Sequence, residues 1–198
     1  MPTTSQLARS FSGVIDRVDS AIGENRDYGS GIGPHDEDDQ VDALVEEVRN
    51  RSSLPGDVAT TKSDSAAVRY PNGHSADLVI ETPERTEYCE AKLFRFLKAN
   101  GIPSPRGLSK VFSPHQDHSP WSLIHDVEKL ATAEIRAAKT LLGIYHRPVE
   151  GAGSEITGQQ IGEKFATDVG MWADHECHVV WHEPTGAMQT LPIEKSDC

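Results

Sequence analysis

Residues 75–96 read SADLVIETPERTEYCEAKLFRF, and the way this stretch divides decides how the rest of the chain folds. Two apolar runs, one headed by Asp77 and one carrying Glu90 and Lys92, flank Thr82-Pro83-Glu84-Arg85, a turn composition of hairpin length. Side chains alternate along a strand, so Tyr88, Glu90 and Lys92 share one face of the second run while Cys89, Ala91 and Leu93 share the other. The small and apolar set fits a core. Glu90 and Lys92 then lie on a face that needs a reason to be charged, and a hairpin brings Asp77 toward Glu90 to supply one.

Outward from this stretch, AAVRY (66–70) reads as a further strand joined through Pro71-Asn72-Gly73-His74, which makes an antiparallel meander of three strands. The polar segment 53–64 before it reads as a connection. Leu7, Phe11, Val14, Ile15, Val18 and Ile22 recur at helical spacing over 6–22, and Val41, Leu44, Val45 and Val48 form a second helical stripe behind an acidic start. Residues 97–120, with Gly101, Pro103, Pro105, Gly107 and Pro114, read as a long irregular loop. A helix follows, capped by Ser119 with Pro120 in its first turn and striped by Leu123, Val127, Leu130 and Ala131. KTLLGIYHR (139–147) suits a central strand, residues 154–172 a further helix, and CHVVWHEPTGAMQTLPIE (177–194) a hairpin turning at Pro184-Thr185-Gly186.

This order predicts an α/β (α+β) chain with a mixed central β-sheet flanked by helices, order α-βββ-α-β, preceded by an N-terminal helix and followed by a helix plus hairpin. The boundaries are 1–35 for the N-terminal helix and loop, 36–147 for the core, and 148–198 for a C-terminal extension of the same domain. A length of 198 residues is enough for one domain with a core of its own.

No apolar run nears the roughly 20 residues that cross a bilayer, which excludes a membrane-spanning chain. The N-terminus lacks an apolar secretion signal, and Cys89, Cys177 and Cys198 form no paired framework, so a cytoplasmic location is expected. The net charge of -12 argues against a protein that coats nucleic acid with its whole surface. Locally the sign reverses: residues 88–110 hold Lys92, Arg95, Lys98, Arg106 and Lys110 against Glu90 alone, a balance of +4.

Two carboxylates and an ammonium that converge on one strand face are costly unless something satisfies them. A hard divalent cation with oxygen ligands does so. Asp77, twelve intervening positions and Glu90-Ala91-Lys92, in the element order above, resemble the PD-(D/E)xK nuclease superfamily with its restriction-endonuclease-like fold. Ala76 stands where that pattern often has proline. The resemblance spans about residues 36–147 and implies a metal-dependent endonuclease acting on DNA, in restriction, defence or repair. It implies Asp77, Glu90 and Lys92 as catalytic residues, and Asp77, Glu90 and the Ala91 carbonyl as ligands of Mg2+, with Mn2+ a substitute. Some members add a glutamate from the preceding helix. At 100° per residue Glu37 falls about 40° from Val41, whereas Glu46 and Glu47 fall about 140° and 240° away, so Glu37 is the better candidate ligand.

Arg95, Lys98, Arg106 and Lys110 are candidate phosphate contacts. The resemblance also implies a homodimer, and the small acidic chain suggests a targeting partner protein. Asp126 and Lys129 flank the apolar stripe of their helix and read more readily as a solvated edge than as site residues. His115 and His118 read as loop polarity. His175, Cys177, His178 and His182 are zinc-ligand types without a familiar zinc spacing, and strand alternation splits them between two faces. Two alternatives therefore stand beside the nuclease: a catalytically inactive module of the same fold that binds nucleic acid or protein, and a zinc-stabilised adaptor.

Overall fold

In the computed structural model the described residues are 3–23, 31–32, 35–51, 54, 56–70, 73–94, 122–133, 135, 137–145, 155–157, 160–161, 177–182 and 188–193. They form α1 (Thr3–Ala21), α2 (Glu37–Arg51), β1 (Asp57–Thr60), β2 (Leu78–Glu81), β3 (Thr86–Phe94), α3 (Leu123–Thr132), β4 (Ala138–Tyr145), β5 (Cys177–His182) and β6 (Met188–Ile193). The chain is a mixed α+β protein whose four-stranded mixed sheet is flanked by helices.

The helices follow their apolar stripes. Leu7, Phe11, Val14, Ile15 and Val18 of α1 are buried, as are Val41, Leu44, Val45 and Val48 of α2. Each such side chain contributes roughly 1.5–3 kcal/mol of gross burial energy. Glu37, Asp38 and Asp39 in the first turn of α2, with Arg49 and Arg51 in its last, complement the helix dipole. The cap of α3 is Ser122, whose Oγ accepts from the His125 N–H at 3.3 Å; the expected Ser119 and Pro120 lie outside the described residues.

The sheet order is β1-β2-β3-β4. β1 and β2 are antiparallel, β2 and β3 are antiparallel with Leu78 opposite Cys89, and β3 and β4 run parallel with Glu87 opposite Ala138. A parallel pair requires a crossover, and α3 lies between β3 and β4 in the chain. Helices α1 and α2 cover one face through Leu78, Ile80, Cys89, Ala91, Leu93, Leu142 and Ile144. Helix α3 covers the other, where Val127 and Leu130 meet Val79, Phe94, Leu141 and Tyr145. The β5–β6 hairpin is a separate two-stranded sheet beside β4 and α1. Among the described residues no helix is long and apolar enough to cross a membrane.

The meander contains a strand other than the one expected. Its first member is Asp57–Thr60, inside the segment read as a connection, while 66–70 forms turns and a lone bridge between Arg69 and Ser75. Local hydrogen bonds explain the exchange. Asp64 Oδ1 accepts from the Ala66 and Ala67 N–H groups, and Ala76 N–H and Tyr70 N–H pair with Val68 and His74 carbonyls, which folds 64–76 on itself. Strand β1 takes the place at the sheet edge, where Arg49 Nη2 donates to the Val58 carbonyl at 3.0 Å and Gly56 lets the backbone approach Glu81.

Candidate active site

Strand β3 is longer than β2, and the excess makes the site. β2 begins at Leu78, opposite Cys89, so Ala91 and Leu93 extend past it with no strand on that side among the described residues. In an antiparallel ladder the N–H and C=O of alternate residues point to the same neighbour, so both residues present their amides where β2 has ended. Two carboxylates cap them. Asp77, one residue before β2, accepts from the Ala91 N–H through Oδ2 at 2.6 Å, and Glu37, the first residue of α2, accepts from the Leu93 N–H through Oε2. The Ala91 carbonyl points to the same side.

Glu90 and Lys92 occupy the α3 face. Glu90 is 1% exposed; its Oε1 accepts from the Tyr70 hydroxyl and its Oε2 from Lys129 Nζ at 2.7 Å. Lys92 Nζ lies 2.9 Å from Asp126 Oδ2 and 3.5 Å from Glu37 Oε1. The contact with Asp126 is a close ion pair. The segment before β2 supplies Tyr70, whose ring is tilted against that of Tyr88 with centres 5.4 Å apart, and α3 supplies Asp126 and Lys129 three residues apart.

The structure brings together Asp77, Glu90, Lys92 and Glu37. It adds Tyr70, Asp126 and Lys129. Asp126 is 6% exposed and Lys129 reaches into the cluster, so neither is a solvated edge. Their spacing beside Val127 and Leu130 was the available signal; nothing in Tyr70 announced its role, because its segment reads as a strand. Arg95, Lys98, Arg106, Lys110, His115, His118 and His175 lie outside the described residues, and for Cys177, His178 and His182 only the backbone is described. Cys89 is buried in the opposite face and burial raises its thiol pKa, which makes it a core residue. A cavity of about 320 Å3 beside β1, lined in part by Arg49, Asp57, Asp64 and Glu81, contains none of the site residues.

Charge in the cluster does not balance. Four carboxylates, Glu37, Asp77, Glu90 and Asp126, meet two ammonium groups, Lys92 and Lys129, an excess of two negative charges when all are ionised. Three of the acids are shifted toward higher pKa. Asp77 is pushed well above the usual carboxylate range by burial, then by Glu90 and Glu37. Burial also raises Glu90 against the pull of Lys129, and raises Asp126 against the pull of Lys92. Burial alone would lower Lys92, but Asp126, Glu37 and Asp77 outweigh it and raise its pKa.

As they stand, no three His, Cys, Asp or Glu side chains among the described residues are grouped to hold a metal ion. Both oxygens of Glu90 and both of Glu37 are engaged by internal donors. The donor chemistry nonetheless fits a hard divalent cation. The candidate donors are all oxygen, the Ala91 carbonyl lies on the same side as Asp77 and Glu37, and the excess charge, with every group ionised, equals that of one such ion. No family model, curated protein or solved structure matches the chain.

Proposed function

We propose that the chain is a metal-dependent endonuclease that hydrolyses phosphodiester bonds of DNA on a restriction-endonuclease-like core. The observation that carries this reading is the convergence of Asp77, Glu90 and Lys92, joined by Glu37, at the overhanging end of β3. Strand order β1-β2-β3-β4, with β3 and β4 parallel and a helix between them, supports the core, and the +4 balance of residues 88–110 supports an anionic substrate. A role in restriction, defence or repair follows from the resemblance.

Asp77, Glu90 and the Ala91 carbonyl, with Glu37 as a further ligand, would hold Mg2+ or Mn2+. The ion would polarise the scissile phosphate and lower the pKa of its water. The surroundings of Lys92 support one task for it. With its pKa raised by Asp126 and Glu37 it stays an ammonium, so it donates hydrogen bonds to the attacking water or to phosphate oxygen and does not accept a proton. Asp126 keeps it charged and aimed. Tyr70 donates to Glu90 and keeps its own proton, since burial and then the Glu90 charge raise its pKa.

One observation favours the inactive module of the same fold: Lys92 and Lys129 neutralise carboxylates internally. Supercoiled plasmid incubated with Mg2+ or Mn2+ separates the readings. A nuclease nicks or linearises it, Asp77→Asn and Lys92→Met each lower the rate at least 100-fold, and cleavage indifferent to both changes sinks the assignment. No cleavage, with retained DNA binding, selects the inactive module.

A further inference from the structure

We infer that Lys129 is an exchangeable counter-ion, which holds Glu90 while no divalent cation is bound and releases it when one binds. The inference rests on the metal-dependent reading above. The two ammonium groups of the cluster differ in the way this role demands. Lys92 meets two carboxylates from two helices, Asp126 at 2.9 Å and Glu37 at 3.5 Å, and its side chain is 8% exposed. Among the described residues Lys129 is ion-paired with one carboxylate, Glu90 at 2.7 Å, with the Asp126 charge acting on it from farther off; its side chain is 21% exposed and its ammonium lies 5.9 Å from the centre of the Tyr70 ring. A four-carbon stem with a path to water can swing out; a buried one held at both sides cannot.

Glu90 is built to survive the exchange. Its Oε1 stays on the Tyr70 hydroxyl, so the carboxylate keeps its orientation when Oε2 is vacated. Local repulsion points the same way: a divalent ion that takes Glu90 Oε2 competes directly with the Lys129 ammonium held on that oxygen and repels it, while Lys92, anchored by Asp126, remains. The Lys129 ammonium also compensates the charge that Glu90 carries at 1% exposure.

Mn2+ binding, read from the EPR signal of free Mn2+ with no substrate present, tests the exchange on wild type, Lys129→Met and Asp77→Asn. Removing the competitor tightens Mn2+ binding by tenfold or more, about 1.4 kcal/mol, which is the low end for a hydrogen bond to a charged group. Asp77→Asn weakens it. If wild type binds and Lys129→Met binds equally or less tightly, Lys129 is a lasting part of the structure and the inference fails while the metal reading stands. If neither wild type nor Lys129→Met binds, both fail. A second measurement needs only the unaltered chain: acetylation of lysines mapped by peptide mass spectrometry, with and without saturating Mg2+. Labelling of Lys129 rises at least threefold on adding Mg2+ while Lys92 stays protected. Unchanged labelling of Lys129 in a protein that binds the ion overturns the exchange.

Discussion

Replacing the Lys92–Asp126 pair by apolar side chains will restore the stability that either single replacement removes. At 2.9 Å and an effective dielectric of about 20, the gross attraction is about 6 kcal/mol. Both side chains are only 8% exposed, and withdrawing each ion from water costs several kcal/mol, so the pair as a unit is close to neutral. Breaking it is another matter. Asp126→Leu leaves a buried ammonium with Glu37 at 3.5 Å as its remaining partner, which puts the loss at about 3 kcal/mol, the low end for a broken buried pair. Lys92→Met leaves Asp126 unpaired, but that carboxyl can take up a proton because burial already raises its pKa, so the loss is again about 3 kcal/mol. The double variant stays within about 1 kcal/mol of wild type, a coupling of about 5 kcal/mol in a double-mutant cycle. Urea unfolding followed by circular dichroism measures all four proteins. Additive losses near 6 kcal/mol would show that the two groups do not meet, and the account of Lys92 would fall with them. A stable but inactive double variant, in turn, would show that the charges are kept for chemistry rather than for the fold.

Glu87 is fully buried and accepts from the Thr4 N–H at 3.1 Å and from Arg85 at 3.0 Å, so Glu87→Ala costs about 2 kcal/mol in urea unfolding and Glu87→Gln about half that. Because the Arg85 side chain is 38% exposed, most of that loss comes from the helix amide and not from the ion pair. At Gly56 an added Cβ runs into the backbone oxygen of Glu81, which no side chain can yield, so Gly56→Ala costs about 1–3 kcal/mol and lowers Tm. Asp77 gives a pH signature. Its folded pKa lies above the unfolded value, so the native state keeps a proton that the unfolded chain has lost, and its contribution is complete below about pH 4 and fades as pH rises through the folded pKa. Metal-free wild type therefore loses stability relative to Asp77→Asn as pH is raised from 4 to 8, and urea midpoints that run parallel across that range refute the shift.

The sequence exposes the parts of the fold that rest on periodicity. The stripes of α1 and α2 and the alternation of Cys89, Ala91 and Leu93 are visible because apolar side chains recur at 3.6 or 2 residues, β4 because its apolar run is continuous, and the hairpin of β5 and β6 because Pro184-Thr185-Gly186 punctuates two strand-like runs. β1 was hidden because it is four residues long and joins the sheet through β2, while Ala66–Tyr70, richer in apolar residues, is claimed by the Asp64 side chain and a tight turn. In the candidate site, Asp77, Glu90, Lys92 and Glu37 were legible because strand pairing and helix phase tie them to local spacing. Tyr70, Asp126 and Lys129 were not, since they meet Glu90 and Lys92 across 20 to 39 residues of chain through packing that no local pattern encodes.

The overhang of β3 also decides which variants can carry a functional argument. Asp77 and Glu37 are acceptors for the Ala91 and Leu93 amides as well as candidate metal ligands. An alanine at position 77 deletes the ligand and orphans a backbone N–H in a partly buried place, a loss of about 1–3 kcal/mol that could silence the protein by unfolding the end of β3. Asparagine keeps an oxygen for that amide and removes only the charge. The same reasoning favours glutamine at Glu37. If Asp77→Asn and Glu37→Gln retain the wild-type urea midpoint while Mn2+ binding is lost, the two carboxylates act as ligands on a backbone already satisfied; if midpoint and binding fall together, capping the end of β3 is their main role.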